Sequence, residues 1–169
     1  MANYVPARFV IRGKPEAIDH LIALVRGEAH VVPWWKRWLG YRAPEPMAFD
    51  LEAIVPIPTA LLADREAMGR WMGEHWGVNR NVAETRFDRI APDHAVLYFH
   101  SAYAMPSEAL SVLATRIDPS LVLQGVYADP GNEYAGRITI AGGAMTETIE
   151  PFTRAIYREV TGEELDPDW

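Results

Sequence analysis

Two hairpin patterns set the strongest limits on how this chain can fold. In each, two runs rich in β-branched and aromatic residues stand on either side of a short stretch of turn residues. "VAETRFDRI" and "AVLYFHSAY" are separated by "APDH", and the turn "ADPGNEY", with Pro and Gly at its centre, lies between "LVLQGVY" and "GRITIAGG". Because strands joined by short connections pair antiparallel, the sequence predicts a largely antiparallel sheet.

Segments with helical spacing of apolar residues lie around these strands. A strand predicted at Asn3–Arg12 precedes a helix from Pro15 to Gly27, and further helices are predicted in "TALLADREAMGRWMGEHWG", in "PSEALSVLATRI" and from near Pro151. "MAFDLEAIVPIP" is predicted as a strand or an extended segment. The order β-α-β-α-β-β-α-β-β-α predicts an α+β fold, with a mainly antiparallel sheet and helices on one face, ferredoxin-like in its later part.

The length of 169 residues suits one domain. Within it, residues 1–73 are interpreted as an N-terminal half that carries a Trp-rich insertion at 28–46. Residues 74–149 are the ferredoxin-like part, and residues 150–169 are a C-terminal helix and tail.

Composition narrows the classes of function. The formal net charge is −7, and this acidic balance disfavours nucleic acid as a general partner, because such affinity comes mostly from Lys and Arg. The sequence has no cysteine, which excludes a disulfide framework, thiolate metal sites and a cysteine nucleophile. No run is apolar enough for a signal peptide or a membrane span, so we expect a cytoplasmic protein.

The stretch "PWWKRWLGYR" concentrates aromatic and cationic residues in an otherwise acidic chain. Its tryptophans would either close one end of the core or form an exposed patch, since Trp, Tyr and Arg are enriched among binding hot spots. A membrane-surface role is a third interpretation. The predicted partner-binding residues are Trp34, Trp35, Lys36, Arg37, Trp38, Tyr41 and Arg42.

An alternative binding surface is the outward face of the predicted sheet. Alternation along "AVLYFHSAY" places Tyr98 and His100 opposite the core residues Leu97 and Phe99. RNA-recognition domains use a sheet of this general type, with exposed aromatic residues that stack bases. The predicted platform is Tyr98, His100 and Arg137.

No motif in the sequence predicts catalysis, a metal or a cofactor. The glycines in "AGGA" and "DPGNEYAG" fit turns and lack the spacing of phosphate-binding loops. Ser107 is interpreted as a helix cap. The scattered histidines and carboxylate pairs are interpreted as structural or solvated residues: His75, His94, His100, Glu84 with Asp88, and Asp129 with Glu133.

Four stretches resemble the YubB-like family of phage, prophage and plasmid proteins of unknown function. They are "MANYVPARFVIRGKPEAI", "EHWGVNRN", "SAYAMPSEAL" and "VYADPGNEYAGRITI". Trp76 and Gly77 match the family pattern, whereas Arg80 and Tyr103 stand where that pattern has tryptophan. The resemblance implies a ferredoxin-like domain in the C-terminal part and leaves out the Trp-rich stretch.

From these observations we expect a non-enzymatic accessory protein of a mobile genetic element that acts by binding another protein. A host-defence component is the expected partner class, because a small acidic protein is suited to occupy a surface that normally binds nucleic acid or another subunit. The alternative is a single-stranded nucleic-acid or RNA-binding module that uses the open face of the sheet. An enzyme with dispersed catalytic residues is a third class.

Overall fold

The structure, a computed structural model, describes residues 3–28 and 45–165. Six strands and five α-helices lie in these ranges. The strands are β1 Tyr4–Arg12, β2 Ala83–Ala91, β3 His94–Ala102, β4 Val122–Asp129, β5 Tyr134–Ala141 and β6 Ala144–Pro151. The helices are α1 Pro15–Val25, α2 Leu51–Ile54, α3 Arg65–Trp76, α4 Ser107–Arg116 and α5 Arg154–Thr161.

The strands form one antiparallel sheet in the order β2-β3-β1-β4-β5-β6, which confirms the predicted α+β class. β1 lies at the centre and pairs with β3 on one side and β4 on the other. With helices α1 and α4, the first four strands follow the order β-α-β-β-α-β of ferredoxin-like folds. The hairpin of β5 and β6 extends the sheet beyond β4.

Strand alternation gives the sheet two different faces. On the helical face, Phe9 and Phe99 are buried in one core with Leu21 of α1 and Leu110 of α4. On the second face, α5 packs over part of β1, β4 and β5, so the expectation that all helices lie on one face is wrong for this helix. The buried contacts of α5 are Ile156 and Val160 with Val126, Ala128 and Ala135.

Trp76 and Gly77 end α3, as the sequence predicts. Trp76 is 1 % exposed, and its indole Nε1 donates a hydrogen bond to the carbonyl of Val55 at 2.9 Å. Gly77 has φ +82, the left-handed conformation that ends a helix with least strain in glycine. A Cβ there would lie 3.3 Å from the backbone N of Ser107, so the turn also lies close to α4.

The prediction of a strand or extended segment in "MAFDLEAIVPIP" is wrong, because the segment contains helix α2. The Asp50 carboxylate accepts a hydrogen bond from the backbone N–H of Glu52 at 2.8 Å and caps this helix. The next helix begins at Arg65 rather than Thr59, since Asp64 caps it through the N–H groups of Glu66 and Ala67.

Strand β6 is absent from the predicted order. It follows a turn at Gly142 and Gly143, whose φ values are +59 and +81, as a two-residue hairpin turn requires. Its sequence, "AMTETIEP", is mostly exposed and has few apolar residues, which hid the strand pattern. Among the helices of the described ranges, none has the length and apolar character needed to cross a membrane.

Candidate functional site

An open groove of about 1070 Å³ lies on the second face of the sheet. Among the described elements, α5 covers the sheet at β4 and over part of β1, and leaves β3 and β2 uncovered on this face. One wall carries Arg8, Tyr98 and His100 from the strands, and the other carries Glu159 and Glu163 from α5 and the residues after it.

Strand pairing places two arginines on either side of Tyr98. Arg8 of β1 and Arg86 of β2 are both in register with Tyr98 of β3, so the three residues form a row across neighbouring strands. Their side chains share the second face because Phe9 and Phe99, the next residues along β1 and β3, are buried on the helical face. We refer to Arg8, Tyr98 and Arg86 as the arginine row.

The arginine row is held by direct contacts. Arg8 Nε donates a hydrogen bond to the Tyr98 hydroxyl at 3.3 Å, and its guanidinium carbon is 5.9 Å from the ring centroid. The Arg86 guanidinium lies 4.5 Å from the same centroid, within the range of a cation–π contact. Arg86 Nε also pairs with Asp88 at 3.0 Å. Tyr98 therefore lies between two cations.

Carboxylates line the same groove. Glu84 Oε2 lies 3.2 Å from His100 Nδ1, and Glu163 is exposed beyond the end of α5. Glu159 is held by Arg137, whose two terminal nitrogens lie 3.1 and 2.9 Å from its oxygens. Arg137 lowers the pKa of Glu159, and this is the largest influence on that group. The groove thus combines two arginines with three glutamates.

The structure separates the three residues of the predicted sheet-face platform. Tyr98 and His100 both line the groove, on the face that strand alternation predicts. Arg137 does not line it and instead contacts Glu150 at 2.9 Å as well as Glu159. Its positive charge is therefore balanced by two carboxylates of the same protein.

Three non-glycine residues with positive φ lie in or beside the groove: Glu84 (+51), Tyr103 (+69) and Glu133 (+58). Glu84 lines it, Tyr103 donates its backbone N–H to the carbonyl of the lining residue Asn3, and Glu133 follows the lining residues 130–132. Non-glycine residues adopt this conformation at an energetic cost, and such residues cluster at binding and catalytic sites.

A buried carboxylate, that of Asp129, holds Asn3 and Asn132, two of the residues that line the groove. Asp129 is fully buried and accepts hydrogen bonds from Asn3 Nδ2 at 2.6 Å and from Asn132 Nδ2 at 2.8 Å. It also accepts from the backbone N–H of Asn132 at 3.0 Å. Burial raises the pKa of Tyr134, and the neighbouring Asp129 raises it further. Asp129 therefore caps the turn at Pro130–Asn132, which agrees with the structural rather than the solvated interpretation of this residue.

On the helical face, Glu147 of β6 accepts hydrogen bonds from two hydroxyl groups. The Tyr127 hydroxyl donates to Glu147 at 2.6 Å, and the Ser107 hydroxyl donates to it at 3.0 Å. The prediction that Ser107 caps α4 is therefore wrong, since Ser107 is the first residue of the helix and Pro106 holds the cap position without a side-chain bond. Burial raises the pKa of Tyr127, and the bond to Glu147 raises it further.

Replacing Tyr127 by phenylalanine should lower stability at neutral pH by about 1–2 kcal/mol, because Glu147 loses a hydrogen-bond donor. The pKa of Tyr127 is higher in the folded than in the unfolded protein. Its contribution to stability is therefore intact below about pH 10, the pKa of an unfolded tyrosine, and is lost as the pH rises above that value. Urea unfolding at neutral and alkaline pH should therefore show a smaller alkaline loss in the variant. Equal alkaline losses would contradict the assignment, and Tyr103→Phe, at an exposed position, is the control.

Across the described residues, no group of three or more His, Asp or Glu side chains is placed to hold one metal ion. The predicted partner-binding residues of the Trp-rich stretch lie outside the described residues. They are Trp34, Trp35, Lys36, Arg37, Trp38, Tyr41 and Arg42.

Sequence reasoning missed the two arginines beside Tyr98 and the glutamates of the opposite wall. Alternation along β1 assigns Arg8 to the open face, but only the pairing register shows that it meets Tyr98. Glu159 and Glu163 become wall residues because α5 packs on the second face of the sheet. Knowledge of the strand register would have revealed the two arginines beside Tyr98. Nothing in the sequence of α5 shows on which face of the sheet the helix packs.

Comparisons with known proteins support the fold. No family model matches the chain, and no curated protein matches it. Among solved structures, the chain is similar to the crystal structure of protein api92 from Yersinia pseudotuberculosis, described under the family model DUF1281. The TM-score is 0.61 at 11 % identity, over 90 % of this chain and 99 % of that one. The YubB-like resemblance stays a hypothesis.

Proposed function

We propose that this protein is a binding module that takes a segment of a partner protein into the groove between α5 and the sheet. The observation that carries the proposal is the groove itself, where positioned charged and aromatic side chains meet Glu84, a lining residue in the left-handed conformation. In the wider interpretation it is an accessory protein of a mobile element, and its partner is a host-defence component. That setting rests on the YubB-like resemblance.

Binding without chemistry is favoured because two of the three glutamates that line the groove are held by other side chains, and the third, Glu163, is exposed to solvent. Glu84 pairs with His100, and Glu159 is held by Arg137. A general base needs a free carboxylate or imidazole within reach of the proton it removes. A glutamate held by a neighbouring side chain instead presents its negative charge to a ligand.

A protein segment suits the groove better than a nucleic acid. Two arginines and three glutamates line it, whereas nucleic-acid sites gather lysine and arginine to neutralise phosphates. The net charge of −7 acts in the same direction. Single-stranded nucleic acid remains the second candidate, because Tyr98 stands on an open sheet face between Arg8 and Arg86, where a base could stack.

The proposal is tested by selecting peptides from a displayed library of random dodecapeptides, with the protein as bait. Synthetic copies of the enriched peptides should bind the native protein, and Glu163→Trp, which fills the groove mouth, should weaken binding about tenfold or more. Glu74→Trp on α3 is the matched control, since Glu74 is exposed and lies outside the groove lining. Binding is measured by calorimetry after both variants are shown to unfold like the native protein.

The triple variant Trp34→Ala, Trp35→Ala and Trp38→Ala separates the two proposed surfaces. Peptides that are lost with this variant and kept by Glu163→Trp would assign binding to the Trp-rich stretch and contradict the groove. A library that yields no peptide for the native protein would contradict both surfaces.

A further inference from the structure

We infer that the groove recognises a mixed-charge peptide: the arginine row binds one carboxylate of the partner segment, and Glu163 binds a basic residue beside it. The inference rests on the proposed function and names the chemistry of the partner at the same site. It follows from the donors, the acceptors and the charges that the groove brings together.

The arginine row presents donors that the described residues leave available. Each guanidinium has five N–H groups. In Arg8 the Nε hydrogen bonds to Tyr98, and in Arg86 the Nε pairs with Asp88. Within the described ranges, the terminal nitrogens of both residues have no hydrogen-bond partner.

Tyr98 supplies a further donor between the two guanidinium groups. Because its oxygen accepts the hydrogen bond from Arg8, its hydroxyl proton is left to donate. Both guanidinium carbons lie close to its ring, at 5.9 and 4.5 Å from the centroid. Planar guanidinium groups bind carboxylates through two parallel hydrogen bonds, so this set of donors selects an anionic group.

The rest of the groove limits the anion to a single charge. Glu84, Glu159 and Glu163 line the same space, so a chain of phosphates would lie against carboxylates. A peptide can place one acidic side chain at the arginine row and neutral or basic residues elsewhere. The balance of charges therefore favours a peptide over an oligonucleotide.

Glu163 is the acceptor for the basic residue. It is exposed, lines the groove, and its carboxylate has no partner among the described side chains. It also follows the C-terminal end of α5, where the helix dipole favours a positive charge. A Lys or Arg of the partner segment would thus meet both the carboxylate and the helix end.

The test compares the peptides that different baits enrich from the same library. We expect the native protein to enrich peptides that contain Asp or Glu next to Lys or Arg. The double variant Arg8→Gln, Arg86→Gln should lose the acidic preference, and Arg86→Glu should replace it with a basic one. Glu163→Gln should lose only the basic preference. Arg80→Gln, an exposed arginine outside the groove lining, is the control.

A double-mutant cycle then measures the contact. For one enriched peptide, Arg86→Gln in the protein and Glu→Gln in the peptide should each weaken binding about tenfold. Both changes together should weaken binding no more than either change alone. Additive losses would overturn the assignment of that carboxylate to Arg86. Enriched peptides without an acidic residue would overturn the inference as a whole.

Two outcomes keep the inference distinct from the proposed function. One outcome is that Glu163→Trp prevents peptide binding while the double variant Arg8→Gln, Arg86→Gln leaves it unchanged. This result would overturn the carboxylate site and leave the groove as the binding site. Oligo(dT) is the second probe, at physiological salt. The decisive result would be that oligo(dT) binds the native protein, displaces the peptides, and no longer binds the double variant Arg8→Gln, Arg86→Gln. The occupant of the groove would then be a nucleic acid, and the peptide assignment would be wrong.

Discussion

Replacing Trp76 by alanine is expected to lower the free energy of unfolding by about 3–5 kcal/mol, the largest loss we expect from any single truncation in this chain. The side chain is 1 % exposed and is among the largest fully buried ones. It joins α3 to the carbonyl of Val55 just after α2 and packs in the main core. Alanine would leave both a cavity and a buried carbonyl without its donor. Urea unfolding monitored by circular dichroism measures the loss.

The variant Trp76→Phe separates the two contributions. It keeps most of the ring packing and removes the N–H donor, so its loss should be about 1–2 kcal/mol. If Trp76→Phe and Trp76→Ala lost the same amount, the hydrogen bond rather than packing would dominate. If neither changed the unfolding curve, the position of Trp76 in the core would be wrong.

Replacing Gly125 by alanine should destabilise the protein by about 3 kcal/mol, because the added methyl group overpacks the core. A Cβ at this position would lie 2.3, 2.5 and 2.7 Å from three ring atoms of Phe9. The ring has little room to move, since Phe9 stacks on Phe99 at 5.8 Å and Phe99 stacks on Phe49 at 5.0 Å. The free energy of unfolding again provides the measurement.

Two further variants check the mechanism of the Gly125 effect. Phe9→Leu frees space beside the new methyl group, so the double variant with Gly125→Ala should be more stable than the sum of the two single losses predicts. Gly73→Ala is the matched control in α3, where nothing lies within 4 Å of the added Cβ. It should stabilise the protein by up to about 1 kcal/mol, as alanine does in helices. Additive losses at Gly125 and Phe9 would refute the steric explanation.

The elements that the sequence predicts well are those with strong local signals. Both predicted hairpins are present as β2 with β3 and β4 with β5, because their turn residues and alternating apolar residues are neighbours in the chain. The helix at "LEAI" was missed because it has only four residues and depends on capping by Asp50, whose carboxylate also accepts from Asn81. Such a contact, across 31 positions, cannot be read from a local pattern.

The candidate site was predictable only in part for the same reason. Alternation along β3 is local, and it places Tyr98 and His100 on the open face. The neighbours of Tyr98 depend on pairing with distant strands, and a register shift between Ala83 and Arg86 interrupts the regular pairing of β2. The apolar side of α5 shows that the helix must pack on something, and it does not say on which face.

The position of β1 has a consequence for how the chain reaches its fold. Arg8 and Tyr98, which meet on adjacent strands, are separated by 90 positions, so the centre of the sheet closes long loops. The two hairpins of neighbouring strands can form before β1 is inserted between β3 and β4. Until then the inner edges of both hairpins carry unpaired backbone groups. Refolding is therefore expected to be slow and sensitive to protein concentration, because another copy's strand can occupy the gap that β1 fills.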